Sequence, residues 1–495
     1  MTRSEDLAPN FAKLDTALRS IGYSFEVAVA DIIDNSVDAN ARNVLVRIIT
    51  RGDGKLDLAV WDDGHGMSAK TLREAMRFGA DVSQDIERLG KFGLGLKLAS
   101  LSQARAVSVV TRRDGELSGR EWSEDGITKG FQSTIFETQE CESCVRTVAP
   151  DRKLNSSGTV VHWSHLYRVG RHFGSIEEHA QKLMRRLENH LSIAFHRYLT
   201  GRPRKLRITI DIFDQTLGSA GLPCNLEPLD PFGYDEAWRS DFPVFLVADG
   251  EYAKTVKIEA HIWPPNSNSP NYKLPGGANS RQGFYFYRNH RLIQAGGWND
   301  MRETEPHSSL ARVAIDIDPS IDVDVSLDVR KVDIHPPIEL LNAIQRARGA
   351  TGIDFKRYLA TANEAYRKRR PTEAELPMIP SQGLPADFVK FLHDELRIKG
   401  TAKHRDLKIK WKILPEDEFF EIDRDSEHLY INQIFRPQLL HGLAGSATDA
   451  PVLKCLLFLV LEDALRSERL GSKLRERCDQ VNRLLVRAVR YERVS

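Results

Sequence analysis

Three acid- and glycine-rich clusters within the first 100 residues constrain what this chain can fold into more than any other feature of the sequence. They occupy residues 31–41, 62–66 and 90–97. Hydrophobic periodicity predicts a helix over residues 25–39, which carries the first cluster, and a strand over residues 56–61, which runs into the second. The third cluster is a glycine-rich turn that leads into an apolar helix. The order and spacing of the three clusters, more than any one of them, predict a ligand site.

The first cluster places polar side chains on one face of its helix. Asp31, Asn35 and Asp38 are spaced four and three residues apart, and residues at these spacings share a helix face. Beside the apolar Ile32 and Ile33, carboxylates are costly to bury unless a cation or polar group binds them. Mg²⁺ with phosphate oxygens would satisfy them, because Mg²⁺ prefers oxygen ligands. The alternative interpretation is a helix face that is simply solvated.

The other two clusters suit a flat base and a phosphate chain. Gly64 and Gly66 allow the backbone to approach a flat ligand closely, and the carboxylate of Asp62 can accept a hydrogen bond from an exocyclic amine. The turn at residues 90–97 places free backbone N–H groups at a helix start, where phosphate binds. Each cluster alone is weak evidence for a nucleotide, because glycine turns are common.

Together the clusters resemble the GHKL ATPase superfamily, which includes gyrase B, MutL, the ninety-kilodalton heat-shock chaperones, histidine kinases and MORC proteins. Residues 31–41 resemble its N-box, 62–66 its D-x-G-x-G box and 90–97 its ATP lid, and residues 157–161 resemble its G-T strand. Residues 283–293 resemble the Y-R-N-x-R-L-I strand of MORC-type and related prokaryotic members. The resemblance implies an α+β chain with an N-terminal two-layer α/β sandwich (the Bergerat fold), a transducer α+β domain and a small mixed C-terminal domain.

The resemblance also implies ligands and roles, with ATP and Mg²⁺ as cofactors. Asp62, with Thr159 beside it, is implied to accept from the adenine amine, and Asn35 to hold Mg²⁺. The other residues that the resemblance assigns to the nucleotide are Asp38, Gly64, Gly66, Met67, Gly90, Phe92, Gly93, Leu94, Gly95 and Lys97.

Two residues are implied to be catalytic. Asp31 stands where ATPase members carry the general base that orients the attacking water, and those members usually have glutamate there. Aspartate is one methylene shorter, a loss of roughly 1.5 Å of reach, and a base must come within hydrogen-bond reach of its water. Slow hydrolysis is therefore expected. Lys331, with Arg330 as a substitute, is implied to reach the γ-phosphate from the transducer domain and neutralise developing charge.

The chain is predicted to have three domains and a linker. Residues 1–170 are expected to form the ATP-binding domain and residues 171–370 the transducer-like domain. Residues 371–385 contain four prolines and no periodicity, which indicates a linker. Residues 386–495 remain as a C-terminal interaction or dimerisation domain.

Composition narrows the class of protein without naming a partner. The 495 residues carry 70 Lys+Arg and 69 Asp+Glu, so any nucleic-acid surface must be local. Candidate phosphate contacts are the basic residues at 197–207, 367–370 and 466–495; for the last segment the alternative is a docked amphipathic helix.

No apolar run approaches the roughly 20 residues needed to span a bilayer, so no membrane partner is expected. Five scattered cysteines fit a cytoplasmic protein.

Two functional hypotheses follow from the resemblance. The first is an ATP- and Mg²⁺-dependent ATPase that dimerises on ATP binding and closes as a clamp on duplex DNA. The alternative is a nucleotide-gated scaffold that binds ATP, hydrolyses little of it and recruits a partner protein through residues 386–495. A chaperone-like role is a third possibility that the MORC-like strand disfavours.

Overall fold

The chain in the computed structural model divides into two compact units, Met1–Lys368 and Arg369–Ser495. The structure describes residues 24–77, 95–130, 132–154, 156–167, 175–235, 238, 241–248, 256–318, 326–327, 334–368, 378–396, 404–423, 426–440, 445–466 and 472–491. Five predicted site residues lie outside these ranges, namely Gly90, Phe92, Gly93, Leu94 and Lys331. None of the helices within the ranges is long and apolar enough to cross a membrane.

The first unit begins with a large sheet and its helices. The strands are β1 (Asn43–Thr50), β2 (Leu56–Asp62), β3 (Ala104–Arg113), β4 (Glu116–Ser123), β5 (Thr134–Phe136), β6 (Gly158–Leu166), β7 (Arg207–Asp214), β8 (Ser219–Ala220) and β9 (Cys224–Asn225). The helices are α1 (Phe25–Asp38), α2 (Ala69–Met76), α3 (Gly95–Gln103), α4 (Glu124–Thr128), α5 (Thr138–Val148), α6 (Ile176–Ala194) and α7 (His196–Thr200). The described strands are ordered β5-β4-β3-β6-β2-β1-β7-β8, and β9 also pairs with β7.

One face of this sheet carries the main hydrophobic core. Alternate residues of the central strands, among them Val60, Val109 and Val161, join α1, α3 and α6 in one buried cluster. Helix α1 begins at Phe25 because the Ser24 hydroxyl accepts from the N–H of Val27 at 3.4 Å and caps its first turn. The predicted α+β sandwich is thus confirmed for this part of the chain.

The opposite face of the sheet is covered in part by α5 and contains a buried ion network. Arg47 of β1 is 1% exposed, and its Nε and Nη2 donate to Asp211 of β7 at 2.9 and 2.7 Å. Its Nη1 donates to Asp151 at 2.5 Å. Arg47 and Asp211 are register partners in the parallel β1–β7 pair, so the network ties the two strands together.

The first sheet extends past the predicted domain boundary at residue 170. Helix α6 packs into the main core, and β7 pairs in parallel with β1 along its whole length. A parallel neighbour needs a long crossover connection, and β7 is separated from β1 by more than 150 residues of chain. Periodicity in the sequence identifies β7 as a strand but does not identify the strand it pairs with. The domain prediction therefore placed β7 in the following domain.

A second sheet completes the first unit. Its strands and helices are β10 (Val244–Val247), β11 (Val256–Ile262), α8 (Pro270–Lys273), β12 (Gly283–Arg288), β13 (Arg291–Ala295), β14 (Ala311–Ile317), β15 (Ser326–Leu327), β16 (Ile334–His335), α9 (Ile338–Arg346), β17 (Arg348–Gly349) and α10 (Phe355–Arg367). The described order is β13-β12-β14-β11-β10-β17, with β15 and β16 as a separate pair. An aromatic cluster that includes Phe284, Trp298 and Phe355 packs α10 against this sheet.

The second unit is a small mixed domain. It contains β18 (Met378–Gln382), α11 (Ala386–Glu395), β19 (Arg405–Lys412), β20 (Phe420–Asp423), β21 (His428–Asn432), α12 (Arg436–Leu439), α13 (Pro451–Val460), α14 (Glu462–Arg466) and α15 (Ser472–Tyr491). The sheet order is β18-β19-β21-β20. Helix α15 packs on the core of this unit through Val486 and Val489, as expected for a docked amphipathic helix, and Arg475, Arg477, Arg483 and Arg487 lie on its exposed face.

Part of the predicted linker, residues 371–385, forms a strand. Residues 378–382 form β18, which pairs in parallel with β19, and Met378 is 2% exposed. The sequence analysis did not predict this strand because it contains Pro380. Proline has no backbone N–H to donate to a neighbouring strand, so its presence argues against a strand. The proline is tolerated because β18 is an edge strand with a single neighbour.

The basic connector at residues 197–207 is largely taken up by internal contacts. Arg197 forms a two-pronged ion pair with Asp316, of which the Nη2–Oδ2 distance is 3.0 Å. Arg204 donates to the carbonyl oxygen of Val37 in the last turn of α1. These two arginines hold the first unit together, so they are poor candidates for the DNA contacts predicted there.

Substituting Asp211 by asparagine should destabilise the first unit substantially. The change leaves the buried Arg47 guanidinium with only the half-exposed Asp151 as a counter-charge, and breaking a buried ion pair costs about 3 kcal/mol or more in the free energy of unfolding. Urea denaturation of Asp211→Asn measures this loss. Asp151→Asn is the matched control and should lose about 1 kcal/mol or less, because the Asp151 carboxylate is 49% exposed. Equal losses would show that burial of Asp211 does not decide the strength of the network.

Candidate functional site

Three adjacent strands bring three polar side chains into one buried row. Asp62 of β2 pairs with Thr159 of β6, and Thr159 pairs with Thr111 of β3. Directly opposed residues on neighbouring strands project to the same face, and here that face carries α1 and the main core. The three side chains are 5%, 7% and 0% exposed. Strands β2, β3 and β6 bury valines at alternate positions in the main core, and the polar row follows these valines on the same face of the sheet.

Asp62 is held in this row by two hydrogen bonds. Its Oδ2 accepts from the Ser36 hydroxyl on α1 at 2.9 Å, and its Oδ1 accepts from the N–H of Gly64 at 2.9 Å. Burial raises the pKa of the Asp62 carboxyl to about 6, because ionisation inside the core loses hydration, and these two hydrogen bonds oppose the rise. Sequence reasoning predicted Asp62 but missed Ser36, although it directly follows the predicted Asn35.

Thr111 is a second residue that sequence reasoning missed. Its hydroxyl lies 3.1 Å from that of Thr159, donates to the carbonyl oxygen of Gly158 at 3.1 Å, and accepts from the N–H of Met67 at 2.9 Å. It thereby joins the G-T strand to the loop that follows Asp62. The only signal in the sequence was a threonine at the end of a predicted strand, which is too common to single out.

The glycines of the second cluster are required by close packing. A Cβ at Gly66 would lie 2.0 Å from the carbonyl oxygen of Arg112, and Gly66 has φ +66°, a conformation that favours glycine. A Cβ at Gly64 would lie 2.8 Å from Cβ of Ala39, at the end of α1. The loop 62–67 is therefore pressed between α1 and β3, where a larger residue cannot enter.

The neighbouring carboxylate has a structural role. Asp63 Oδ1 accepts from the N–H groups of Arg42 and Asn43 at 2.7 and 2.9 Å, and Oδ2 accepts from the Asn43 side chain at 2.6 Å. Partial burial opposes ionisation, but the hydrogen bonds from Asn43 prevail and lower the pKa of Asp63. Asp63 thus fixes the turn after α1 and leaves Asp62 as the carboxylate of the site.

Helix α1 presents the predicted magnesium and base residues next to this row. Asp31 is 2% exposed, Asp38 is half-buried and Asn35 is exposed. The Asn35 side-chain nitrogen donates to the Asp31 carbonyl at 3.1 Å, which leaves Oδ1 as its acceptor for a hard cation. The described residues contain no group of three or more His, Cys, Asp or Glu side chains that could hold a metal. An amide oxygen is a ligand type that Mg²⁺ accepts, so the exposed Asn35 is the residue of this face that could hold the ion, with phosphate oxygens and water as its other ligands.

A residue from the second sheet also reaches α1. Asp34, predicted at the edge of the polar face, is 1% exposed and accepts from Nε of Arg291 at 3.0 Å. Arg291 belongs to the segment that resembles the Y-R-N-x-R-L-I strand. The sequence identified both segments but not their contact, because 257 residues separate them.

The described part of the lid region is its C-terminal flank. Helix α3 begins at Gly95. Lys97 lies two residues further along this helix and is buried, with 2% of its surface exposed. The Lys97 ammonium donates to the carbonyl oxygen of Arg77, the last described residue before the lid. Burial lowers the pKa of Lys97. This contact joins the described residues before segment 78–94 to the helix after it, a bracing role that the sequence did not predict.

Part of this chain is similar in sequence to known ATPases. Residues 23–153 match the family described as histidine kinase-, DNA gyrase B-, and HSP90-like ATPase. The chain is 31% identical over 113 residues to the ATPase morc-1 of Caenorhabditis elegans, which covers 22% of this chain and 13% of that protein. It is 30% identical over 125 residues to the DNA mismatch repair protein MutL of Porphyromonas gingivalis, covering 24% of this chain and 20% of MutL.

A plant protein gives a similar result. The Protein MICRORCHIDIA 6 of Arabidopsis thaliana is 30% identical over 89 residues, which is 17% of this chain and 13% of that protein. In each case the chain matches a fifth or less of the relative's length. The family match spans α1 with the N-box and the Asp62 cluster, and the relatives are of the MORC and MutL types. The match of residues 23–153 and the similarity to these relatives support a GHKL superfamily protein that is close to the MORC and MutL proteins.

Proposed function

We propose that this protein is an ATP- and Mg²⁺-dependent ATPase whose nucleotide site is built on α1 and the row formed by Asp62, Thr159 and Thr111. The observation that carries the proposal is the buried Asp62 carboxylate, held by Ser36 and Gly64 beside a loop in which only glycine fits. A fixed carboxylate at the end of a strand can accept a hydrogen bond from the amine of adenine, and the adjacent threonine hydroxyls can donate hydrogen bonds to its ring nitrogens.

Helix α1 supplies the groups for the phosphate end. Asn35 would hold Mg²⁺ through its side-chain oxygen, and the ion, when bound, would supply positive charge to the phosphate groups. Asp31 lies one turn before Asn35 and is the proposed general base that orients the attacking water. Its short side chain predicts a slow reaction. Lys331 remains the proposed γ-phosphate residue from the second part of the unit, although it lies outside the described ranges.

Duplex DNA is the proposed cargo of a dimer that closes on ATP binding. The support is the similarity to a DNA mismatch repair protein, MutL, over a quarter of this chain. Because Arg197 and Arg204 are committed to internal contacts, the proposed phosphate contacts are the exposed arginines of α15. These are Arg475, Arg477, Arg483 and Arg487.

A nucleotide-gated scaffold is the second candidate, and one feature of the second unit favours it. Helix α13 buries Leu457 and Phe458 but exposes an apolar stripe on another face. The stripe consists of Val452, Leu456, Leu459 and Val460, which are 71%, 55%, 48% and 51% exposed. Contiguous exposed apolar side chains indicate an interaction surface for protein. Tight ATP binding without turnover would favour this candidate.

The Asp62 carboxyl should make ATP affinity depend on pH. With a pKa of about 6 in the free protein, it is ionised above that pH and protonated below it, so it loses its strength as an acceptor as the pH falls through 6. Calorimetric titration with a non-hydrolysable ATP analogue should show about a tenfold loss of affinity from this residue between pH 7 and pH 5. Asp62→Asn is the control: it removes the carboxyl and should retain only the pH dependence of the nucleotide itself. Identical pH profiles would exclude Asp62 from the adenine contact.

Replacement of Asp31 should separate binding from hydrolysis. Asp31→Ala is expected to keep ATP affinity within about twofold and to lose turnover by about 100-fold or more, as removal of a general base does. Asp31→Asn, which keeps the shape of this buried side chain, should behave alike. Phosphate release and analogue binding measure the two effects. Normal turnover in either variant would remove Asp31 from the role of base.

DNA binding should weaken linearly with the logarithm of salt concentration, as counterion release requires. Arg483→Gln and Arg487→Gln should each lower the slope by about one unit, because each removes one proposed phosphate contact. Fluorescence anisotropy with duplex DNA measures the slope, and Arg186→Gln is the control, since Arg186 pairs with Glu26 inside the first unit. An affinity that is indifferent to salt would remove the DNA-clamp claim.

A further inference from the structure

A buried ion pair joins helix α1 to the hairpin β12–β13 of the second sheet. Nε of Arg291 lies 3.0 Å from Oδ1 of Asp34, and the two side chains are 5% and 1% exposed. The pair lies inside the first unit, away from bulk water. Because water does not screen such a pair, its geometry couples the positions of the two elements that carry it.

The hairpin holds Arg291 in a defined orientation. The Arg291 guanidinium donates to the carbonyl oxygen of Leu292 and lies 4.4 Å above the ring of Phe195, at the junction of α6 and α7. The hairpin turn is fixed by the hydroxyl of Tyr198, which donates to the carbonyl oxygen of Asn289 at 2.7 Å. The side chain that reaches Asp34 is therefore anchored to the second sheet and to α7, and it is not a mobile surface arginine.

Asp34 lies among the residues of the proposed site. It is three residues after Asp31 and directly before Asn35, so all three move with the same helical turn. The end of α1 is held independently, by the contact of Arg204 with the carbonyl oxygen of Val37. A shift of the Arg291 contact would thus rotate or displace the turn that carries the proposed base and the proposed magnesium ligand.

We propose that Arg291 is a positioning residue that acts through Asp34 to hold Asp31 and Asn35 in their working positions, and that links nucleotide binding on α1 to the second sheet. This inference rests on the proposed ATPase function. Arg291 contacts the helix and not the nucleotide, so it should affect the rate of hydrolysis more than the affinity for ATP. A misplacement of about 1 Å in a reacting group can cost about 100-fold in rate.

The first test compares kinetic constants in the full-length chain. Arg291→Gln and Asp34→Asn should each lower kcat by about tenfold to 100-fold and change KM for ATP by less than about threefold. Arg291→Lys keeps the charge and should restore part of kcat. The double variant should be no slower than the slower single variant, because both substitutions break the same contact.

A matched control separates positioning from stability. Asp211→Asn breaks another buried arginine–aspartate pair of this unit, Arg47–Asp211, on the opposite face of the first sheet. It should lower the thermal midpoint as Asp34→Asn does, but kcat at 25 °C should remain within about twofold of the wild type. Equal losses of kcat in the two variants would show that the effect of Arg291 is loss of stability only, and would overturn the proposal.

The second test does not depend on turnover. Hydrogen exchange with a non-hydrolysable ATP analogue should show protection of residues 25–38 and also of the hairpin 283–295 in the wild type. In Asp34→Asn, protection of 25–38 should persist while that of the hairpin is lost. Hairpin protection that survives in Asp34→Asn would overturn the Arg291 proposal alone. Absence of protection at 25–38 and 62–67 in the wild type would overturn the ATP site and this inference with it.

Discussion

The site depends on the two-residue repeat of three β-strands. Because side chains alternate between faces, the positions that bury Val60, Val161 and Val109 in the core continue into Asp62, Thr159 and Thr111 on the same face. A slip of one residue in the β2–β6 pairing would put the carboxylate and Thr159 on opposite faces, and the same slip in the β3–β6 pairing would separate Thr111 from Thr159. The register that closes the hydrophobic core therefore also places the proposed adenine acceptor.

Helix α1 is the element on which the contacts of the first unit converge. Its Ser36 bonds Asp62 within the first sheet, its Asp34 bonds Arg291 of the second sheet, and its last turn is held by Arg204. A helix is stiff along its length, so these contacts act on the proposed catalytic residues together. Through these contacts the proposed nucleotide site on the first sheet is connected to the second sheet.

Local chemistry in the sequence was enough to predict part of this site. Asp62 and Gly66 stand in a short motif whose requirements are local: a carboxylate at a strand end and a glycine at positive φ. Ser36, Thr111 and Arg291 were missed because their importance comes from partners 26, 48 and 257 residues away. The pairing of β18 within the predicted linker and of β7 beyond residue 170 could not be predicted for the same reason, since each strand is defined by the strand it pairs with.

The sequence by itself determined the resemblance to the family, the order of the motifs and the residue types of the proposed adenine and Mg²⁺ site. These depend on local spacing and on side-chain chemistry, which the chain carries whether it is folded or not. Only the tertiary structure decided which charges serve the site and which serve the fold. Arg204, Lys97 and Arg291 are all basic in the sequence, but burial and long-range pairing make them a helix cap, a brace at the lid and the partner of Asp34.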